Sequence, residues 1–457
     1  MKHGGPDSQN YVGRKLWSMG TDRLAIQGID GGNQPYTNHD GLCVALNGEI
    51  YNHRALREDL RAKGFSFSDE CDGNVIAPLF LLYGADFVKY LEGMFAIAII
   101  DERNYPTLHL FSDPSGMKSV YYHWDARGKV LSFASEIQGL ALLTQSPLST
   151  KPEAVYDYFS LRAICGEGTA FENIQELGPA RALRYKLGGE PSVTTYSPAA
   201  KAEKPDSDLE KAGLQLRRLL NKEVELQLDA DVAACLIISG GVDSSLVAAL
   251  AAGQRENLHS YHLCYKGDWP FDERRYAQDT AKMCGTIHHD VELDPDDFPE
   301  NIQKMVRHIG QPNWAPHTLS TYCLFEAIHN DGFKVVITGE GSDEFYGGYQ
   351  YYKHALDEGS NWVDDFLYKL LPDHNAIMSV TVRGGTHATP CQYFSLLLHS
   401  RPPIPFGISY TGSGNSLPRT FLYTGCQLSS ITWQSFSLRS KSRSRRWSLP
   451  YTVIAHV

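Results

Sequence analysis

One turn limits the options for this chain more than any other feature. Val232 to Ile238 is a continuous apolar run, as a strand buried on both faces requires. It ends in Ser239-Gly240-Gly241-Val242-Asp243-Ser244-Ser245, and a helix is predicted from Ser244 to Ala252. Two glycines let the backbone approach an anion closely, and Ser239, Ser244 and Ser245 offer hydroxyls. The new helix points its free N–H groups and positive end at the same place. Asp243 would repel a phosphate by itself, so its presence predicts Mg²⁺ held against the phosphates. The turn is not the GxxxxGK[ST] loop, which lacks the acid and needs a lysine.

The surrounding sequence fits that unit. Leu258 to Cys264, Thr286 to Val291 and Phe333 to Thr338 are predicted strands, with helices over Arg274 to Met283 and Thr318 to His329. Such alternation predicts an α/β doubly wound parallel sheet with ligands at the strand C-termini. A second acidic turn, Thr338-Gly339-Glu340-Gly341-Ser342-Asp343-Glu344, caps the last of these strands and should lie beside the first turn. Its three carboxylates are costly together unless a cation or base chemistry uses them.

The first half has a different rhythm. Leu42–Leu46, Met94–Ile100 and Leu108–Phe111 are short β-forming runs bounded by breakers. Residues 55–63 and 74–84 look helical. Without regular βα alternation this suggests a layered α+β domain. Asn47-Gly48-Glu49-Ile50-Tyr51-Asn52 is expected just after the first run. Arg23, Asn47, Glu49 and Asp72 together offer what an amino-acid ligand needs: a guanidinium for its carboxylate, acids for its ammonium, and amide donors for a carbonyl. Residues 197–206 form a linker by composition. Ser207 and Glu210 have capping-box spacing, and Leu209, Ala212, Leu216 and Leu219 recur at helical spacing.

Composition adds exclusions. At 457 residues the chain is too long for one core. A net charge of −11 argues against nucleic acid as a partner. No run of 18 apolar residues and no secretory leader is visible, so a cytoplasmic protein without membrane contact is expected. The nine scattered cysteines, with no CxxC pair, are expected to be reduced. All 53 acidic residues lie at or before Asp373. The acid-free segment 374–457, rich in Ser and Arg, is read as sequence from a shifted frame or retained intron, or else as a disordered basic tail.

The ordered motifs resemble one family, the glutamine-dependent asparagine synthetases. They are HGGPDS (3–8), RLAI (23–26), NGEIYN (47–52), CDGN (71–74), DPSGMKSVYY (113–122), FASE (133–136), SGGVDSS (239–245), GTIHHD (285–290) and TGEGSDEFYGGY (338–349). The resemblance implies an Ntn-type layered glutaminase domain over 1–196, an ATP pyrophosphatase domain over 207–373, and a non-family segment over 374–457. It implies ATP and Mg²⁺, with glutamine and aspartate as substrates and a homodimer as the assembly. ATP would adenylate the aspartate side chain, and ammonia passed through a tunnel would displace AMP. Matched position by position, Arg23, Asn47, Glu49 and Asp72 resemble the glutamine-binding residues. Ser239, Gly240, Gly241, Asp243, Ser244 and Ser245 resemble the pyrophosphate loop, and Ile238, Leu263 and Gly339 the positions that hold the nucleotide. Asp243 and Asp343 resemble the magnesium-linked acids, and Glu340 the base that takes a proton from ammonia.

The departures concern activity. The family nucleophile is a cysteine exposed at residue one, whereas Lys2 follows Met1 here, and Cys43 lies within an apolar run as a core thiol. Missing first strands would leave an unpaired sheet edge. Gly4 and Ser112 stand where the family has arginine, Gln311 where an acid is usual, and Lys353, Lys369 and Lys441 lack the surroundings of the family's phosphate-binding lysine. Little or no glutaminase activity and impaired synthetase activity are therefore expected. A β-lactam synthetase-like enzyme and a catalytically dead binding module are the alternatives.

Overall fold

The computed structural model describes residues 2–37, 41–145, 147–161, 164, 166–197, 208–313, 316–349 and 453–456. Residues 198–206 of the linker, Ser207, and the family departures expected over 350–450 lie outside the described residues. The chain opens with β1 (Ser8–Gly13), β2 (Trp17–Arg23), β3 (Leu42–Ile50), α1 (His53–Ala62) and α2 (Ile76–Tyr83). It continues with β4 (Gly93–Asp101), β5 (Thr107–Ser112), β6 (Tyr121–Asp125), β7 (Val130–Ala134), α3 (Ile137–Thr144) and α4 (Pro152–Leu161). The first half closes with β8 (Gln175–Glu176), β9 (Arg181–Lys186) and β10 (Ser192–Thr195).

Two sheets stack here, in the orders β1-β2-β15-β7-β6-β8, with β15 being Val453–His456, and β10-β9-β5-β4-β3. The period-two alternation of strand side chains explains the layering. Cys43, Ala45, Ala96, Ala98 and Ile100 point from β3 and β4 to a core shared with Trp17, Met19, Leu131 and Phe133 of the other sheet. Val44, Leu46, Ile97 and Ile99 point the opposite way, onto Leu60, Ile76, Leu79 and Phe80. Ile137 and Leu140 cover the far face of the first sheet. The result is helix, sheet, sheet, helix, the layered α+β domain expected.

Four expectations are corrected. β3 does not stop at Leu46: it pairs with β4 through Ile50↔Gly93, so Asn47 and Glu49 lie in the strand. No turn intervenes because Gly48, at φ 140°, lets the strands stay in register, and a Cβ there would stand 2.0 Å from the Met94 carbonyl oxygen. The single helix expected over 74–84 is α2 preceded by a 3₁₀ turn at Asp72–Val75 and followed by another at Gly84–Tyr90. The unpaired edge expected from missing first strands is covered at β2 and β7, between which β15 lies parallel to both.

The fourth correction concerns the start of the second half. There α5 (Leu209–Leu228) is capped by the Asp208 carboxylate, which accepts the Lys211 N–H at 3.0 Å. Its expected apolar stripe is shifted. Leu209 and Leu219 are exposed, and burial falls on Val224 and Leu228, which reach the sheet.

Then come β11 (Ala234–Ile237), α6 (Val242–Ala252), β12 (His259–Tyr265), α7 (Arg274–Cys284) and β13 (Ile287–Leu293). After them lie α8 (Phe298–Ile309), α9 (Pro316–Asn330), β14 (Val335–Ile337) and α10 (Ser342–Tyr346). The sheet is parallel, ordered β13-β12-β11-β14. Ala248, Ala251, Ala277 and Ala281 pack on one face, and Leu324 and Ile328 of α9 on the other, giving the doubly wound α/β arrangement. The six described cysteines are free, and no described helix is long and apolar enough to cross a membrane.

A buried carboxylate organises the β5–β6 connection. Asp113 is 1% exposed and accepts N–H groups from Phe95 (3.2 Å), Ser115 (2.9 Å), Met117 (3.0 Å) and Lys118 (3.1 Å). Asp113→Ala orphans all four donors. We expect a loss of about 3 kcal/mol or more of stability, measured by urea unfolding; a loss below about 1 kcal/mol would contradict this role.

Candidate functional sites

The first site is a cavity of ≈ 240 Å³ at the end of β2 and the second half of β3. Its walls include Arg23, Asn47, Gly48, Glu49, Cys71 and Asp72. All four residues proposed from sequence for an amino-acid ligand therefore meet in one place. Arg23 is buried, and its guanidinium is held by a loop: it donates to Gly31 O at 2.6 Å, Gln27 O at 2.7 Å and Gly28 O at 3.0 Å. Asp72 opens the 3₁₀ turn and accepts the Ile50 N–H at 2.8 Å, which ties it to the end of β3.

The pocket brings acids together away from water. Burial raises the Glu49 carboxyl well above the usual range, and the Asp72 charge raises it further. Burial also raises Asp72, against the pull of the Ile50 N–H. Lys118 lines the same cavity and is lowered by burial, with Glu49 pulling it back up. Lys118 had no role in the sequence reading; its place within the DPSGMK turn, five residues after the organising Asp113, was the available signal. Cys71 lines the cavity too, but burial pushes its thiol up to about 12. Cys43, in the sheet core, is also pushed up to about 12 by burial. Ser112, at a family arginine position, is fully buried and uses its hydroxyl on the backbone of Gly178 and Arg181.

A second cavity, of ≈ 360 Å³, adjoins the first. Glu49, Met94 and Lys118 line both, and its other walls include Leu226, Phe325, Ile328 and Ile337 from the second half of the chain.

The third site lies at the C-terminal ends of β11 and β14. Gly241 caps α6, and the Ser239 and Ser244 hydroxyls meet at 2.9 Å. Ser244 Oγ accepts the Ser239 N–H at 3.1 Å, so the turn is tied internally. Ser245 is bonded to Thr280 of α7 at 3.1 Å. Gly240 has φ +84°, and a Cβ there would lie 2.5 Å from Tyr276 Cβ. The acidic turn lies against this loop: a Cβ on Gly339 would be 2.8 Å from the Ser244 nitrogen and 3.0 Å from the Asp243 carbonyl carbon. This juxtaposition follows from the parallel pairing Leu236↔Ile337, three residues earlier on one strand and two on the other. Ile238 is buried, and its carbonyl meets His262 Nδ1 at 3.0 Å. Leu263, on β12, faces the α9 side with Ile237 and Val291.

Asp243 and Asp343 occupy the first turns of α6 and α10, half-buried. Glu340 is exposed on the acidic turn. Among the described residues no group of three or more His, Cys, Asp or Glu forms a metal cluster. Neither Asp243 nor Asp343 has a protein partner for its carboxylate among the described residues, and carboxylates of that kind suit Mg²⁺, which keeps several waters and is usually held by one or two carboxylates plus phosphate oxygens.

The fold is that of a layered glutaminase-type domain followed by an ATP pyrophosphatase-type α/β domain. The glutamine amidotransferase domain family matches residues 1–197 and the asparagine synthase family residues 215–397. Asparagine synthetase [glutamine-hydrolyzing] 1 of Bacillus subtilis is 27% identical over 384 residues, covering 84% of this chain and 60% of the relative. Asparagine synthetase [glutamine-hydrolyzing] 3 of Arabidopsis thaliana is 30% identical over 370 residues, covering 78% and 57%. The chain spans about three-fifths of the length of such relatives. It belongs to the glutamine-hydrolysing asparagine synthetase family.

Glu49 yields a pH prediction. An acid whose folded-state value is raised favours folding while protonated. That contribution is present below the ordinary carboxylate range and is lost as pH rises toward the raised value. Wild-type stability should therefore fall between about pH 5 and pH 8, and Glu49→Gln should flatten the slope. Urea midpoints at both pH values test this; parallel slopes for the two proteins would contradict it.

Proposed function

We propose that this chain forms an amide on the side chain of aspartate, using ATP, by way of a β-aspartyl-AMP intermediate. The observation that carries the reading is the close packing of Gly339 on the Ser244 backbone, which sets two acidic, glycine-rich turns side by side at the C-terminal edge of one parallel sheet. In this reading the Ser239–Ser245 turn holds the β and γ phosphates through backbone N–H groups and hydroxyls. Ile238, Leu263 and Gly339 hold the rest of the nucleotide. Asp243 and Asp343 would hold Mg²⁺, which supplies charge neutralisation for the leaving pyrophosphate.

The aspartate carboxylate attacks the α-phosphorus, and pyrophosphate leaves. Ammonia then attacks the acyl carbon, AMP leaves with the bonding electrons, and Glu340 takes the proton that nitrogen sheds. Arg23, Asn47, Glu49 and Asp72 hold glutamine in the first cavity, and the ≈ 360 Å³ cavity beyond Glu49 and Lys118 leads from it toward the second half.

Cleavage of glutamine is a separate matter. Cys71 is the described thiol lining that pocket, and burial keeps it protonated far above neutral pH. We therefore infer that this chain binds glutamine without hydrolysing it, and that ammonia from solution supports its synthetase step. The relatives' names favour aspartate over a ring-closing substrate as the carboxylate that is activated.

Two assays separate the halves of this reading. Pyrophosphate release should require both aspartate and ammonium, and Asp243→Asn should lower it on the order of a hundredfold. Glutamine should give no glutamate. Aspartate-independent pyrophosphate release would overturn the first half, and robust glutamate release the second. Gly339→Ala should weaken ATP binding on the order of tenfold by forcing the two turns apart, read by calorimetry; unchanged affinity would contradict the side-by-side arrangement.

A further inference from the structure

The loop that follows β2 is gripped from two sides. From inside the glutamine pocket, Arg23 donates to the carbonyls of Gln27 (2.7 Å), Gly28 (3.0 Å) and Gly31 (2.6 Å). From outside, the segment joining α5 to β11 takes hold of two of these three residues, Gln27 and Gly28. The Gly28 N–H donates to Asp231 Oδ2 at 2.7 Å, and the Gln27 side-chain amide donates to the Asp229 carbonyl. The Asp231 N–H donates in turn to Ile26 O at 3.2 Å. Asp229 is itself fixed by Arg54, whose Nη2 and Nε lie 2.8 Å from its two carboxylate oxygens. One step back along the chain, Lys334 reaches Asp7 Oδ2 at 2.7 Å and Ala25 O at 3.4 Å.

These outside contacts all come from the second half, whose chemistry lies elsewhere. Asp231 stands shortly before β11 and Lys334 immediately before β14. These are the two strands whose other ends carry the phosphate turn and the acidic turn.

We propose that Asp231 and Lys334 are positioning residues of the glutamine pocket, the synthetase half thereby building part of the amino-acid site of its neighbour. Arg23 touches the ligand only if the 26–31 loop keeps its carbonyls aimed at the guanidinium. Asp231 fixes the Gly28 peptide that supplies one of those carbonyls, and Lys334 fixes the Ala25 end of the same stretch. A loop freed at Gly28 leaves Arg23 with weakened partners and a wider set of positions.

The inference rests on the reading of this pocket as a glutamine site. Calorimetry on the full chain, with L-glutamine and with ATP–Mg²⁺ separately, tests both. Asp231→Ala should weaken glutamine binding about fivefold, the loss of roughly one hydrogen bond, and leave ATP binding within twofold. Asp231→Asn, whose amide oxygen still accepts from Gly28, should restore glutamine binding to within twofold of wild type. Lys334→Met should behave like the alanine variant. Hydrogen exchange at the Gly28 amide should accelerate in Asp231→Ala and not in Asp231→Asn. Wild type that binds ATP but no glutamine removes the pocket reading, and the inference falls with it. Wild type that binds both ligands while Asp231→Ala binds glutamine equally well removes the inference alone. Equal loss of both ligands in Asp231→Ala, or an asparagine variant as weak as the alanine one, also overturns it.

Discussion

The Gly339 backbone rests directly on the backbone of Ser244, and this contact sets the spacing of the synthetase half. A side chain at position 339 would collide with main-chain atoms rather than with a flexible group, so nothing could give way cheaply. Because β11 and β14 are neighbours in a parallel sheet, their following turns emerge on the same edge, and the missing Cβ lets them touch. Asp243 follows one of these turns in the first turn of α6, and Asp343 follows the other in the first turn of α10. The burial of Ala248, Ala251, Ala277 and Ala281 beneath the turn holds the small helices close enough for this packing.

The amidotransferase half solves a different electrostatic problem. Arg23 is nearly enclosed, yet its charge is met mainly by loop carbonyls instead of by Glu49 or Asp72. A guanidinium with five donors can be satisfied by neutral acceptors arranged around it, which leaves the pocket acids free to serve a ligand. Those acids are driven toward their neutral forms by desolvation. The same desolvation raises the thiol of Cys71 in the cavity wall, and burial in the sheet core raises that of Cys43.

Much of this was legible in the chain itself. The apolar runs 232–238 and 258–264, closed by glycine turns and followed by helical segments, specify buried parallel strands by composition alone. The four residues read from sequence as an amino-acid site, Arg23, Asn47, Glu49 and Asp72, lie far apart in the chain but carry complementary chemistry, and they do share one cavity. What stayed hidden depends on pairing. Asn47 and Glu49 looked like turn residues because asparagine and glycine favour turns; the hydrogen-bond ladder to β4 overrides that preference. The stripe on α5 was misplaced because Leu209 and Leu219 have the right spacing, yet only the C-terminal turns of that helix reach the sheet. Asp229, Asp231 and Lys334 look like ordinary solvated charges in sequence, and only tertiary structure gives them partners.

Under the proposed reading of the first cavity as an amino-acid site, the desolvated Glu49 has a consequence for how that ligand enters. An empty site keeps that carboxyl protonated near neutral pH, whereas an incoming ammonium favours the ionised form. Occupancy thus expels a proton to bulk solvent, and uptake of the zwitterion strengthens with alkalinity until Glu49 ionises unaided. The heat evolved on association then includes the protonation enthalpy of whichever buffer receives that proton, so the site is a small acid–base device as well as a receptor.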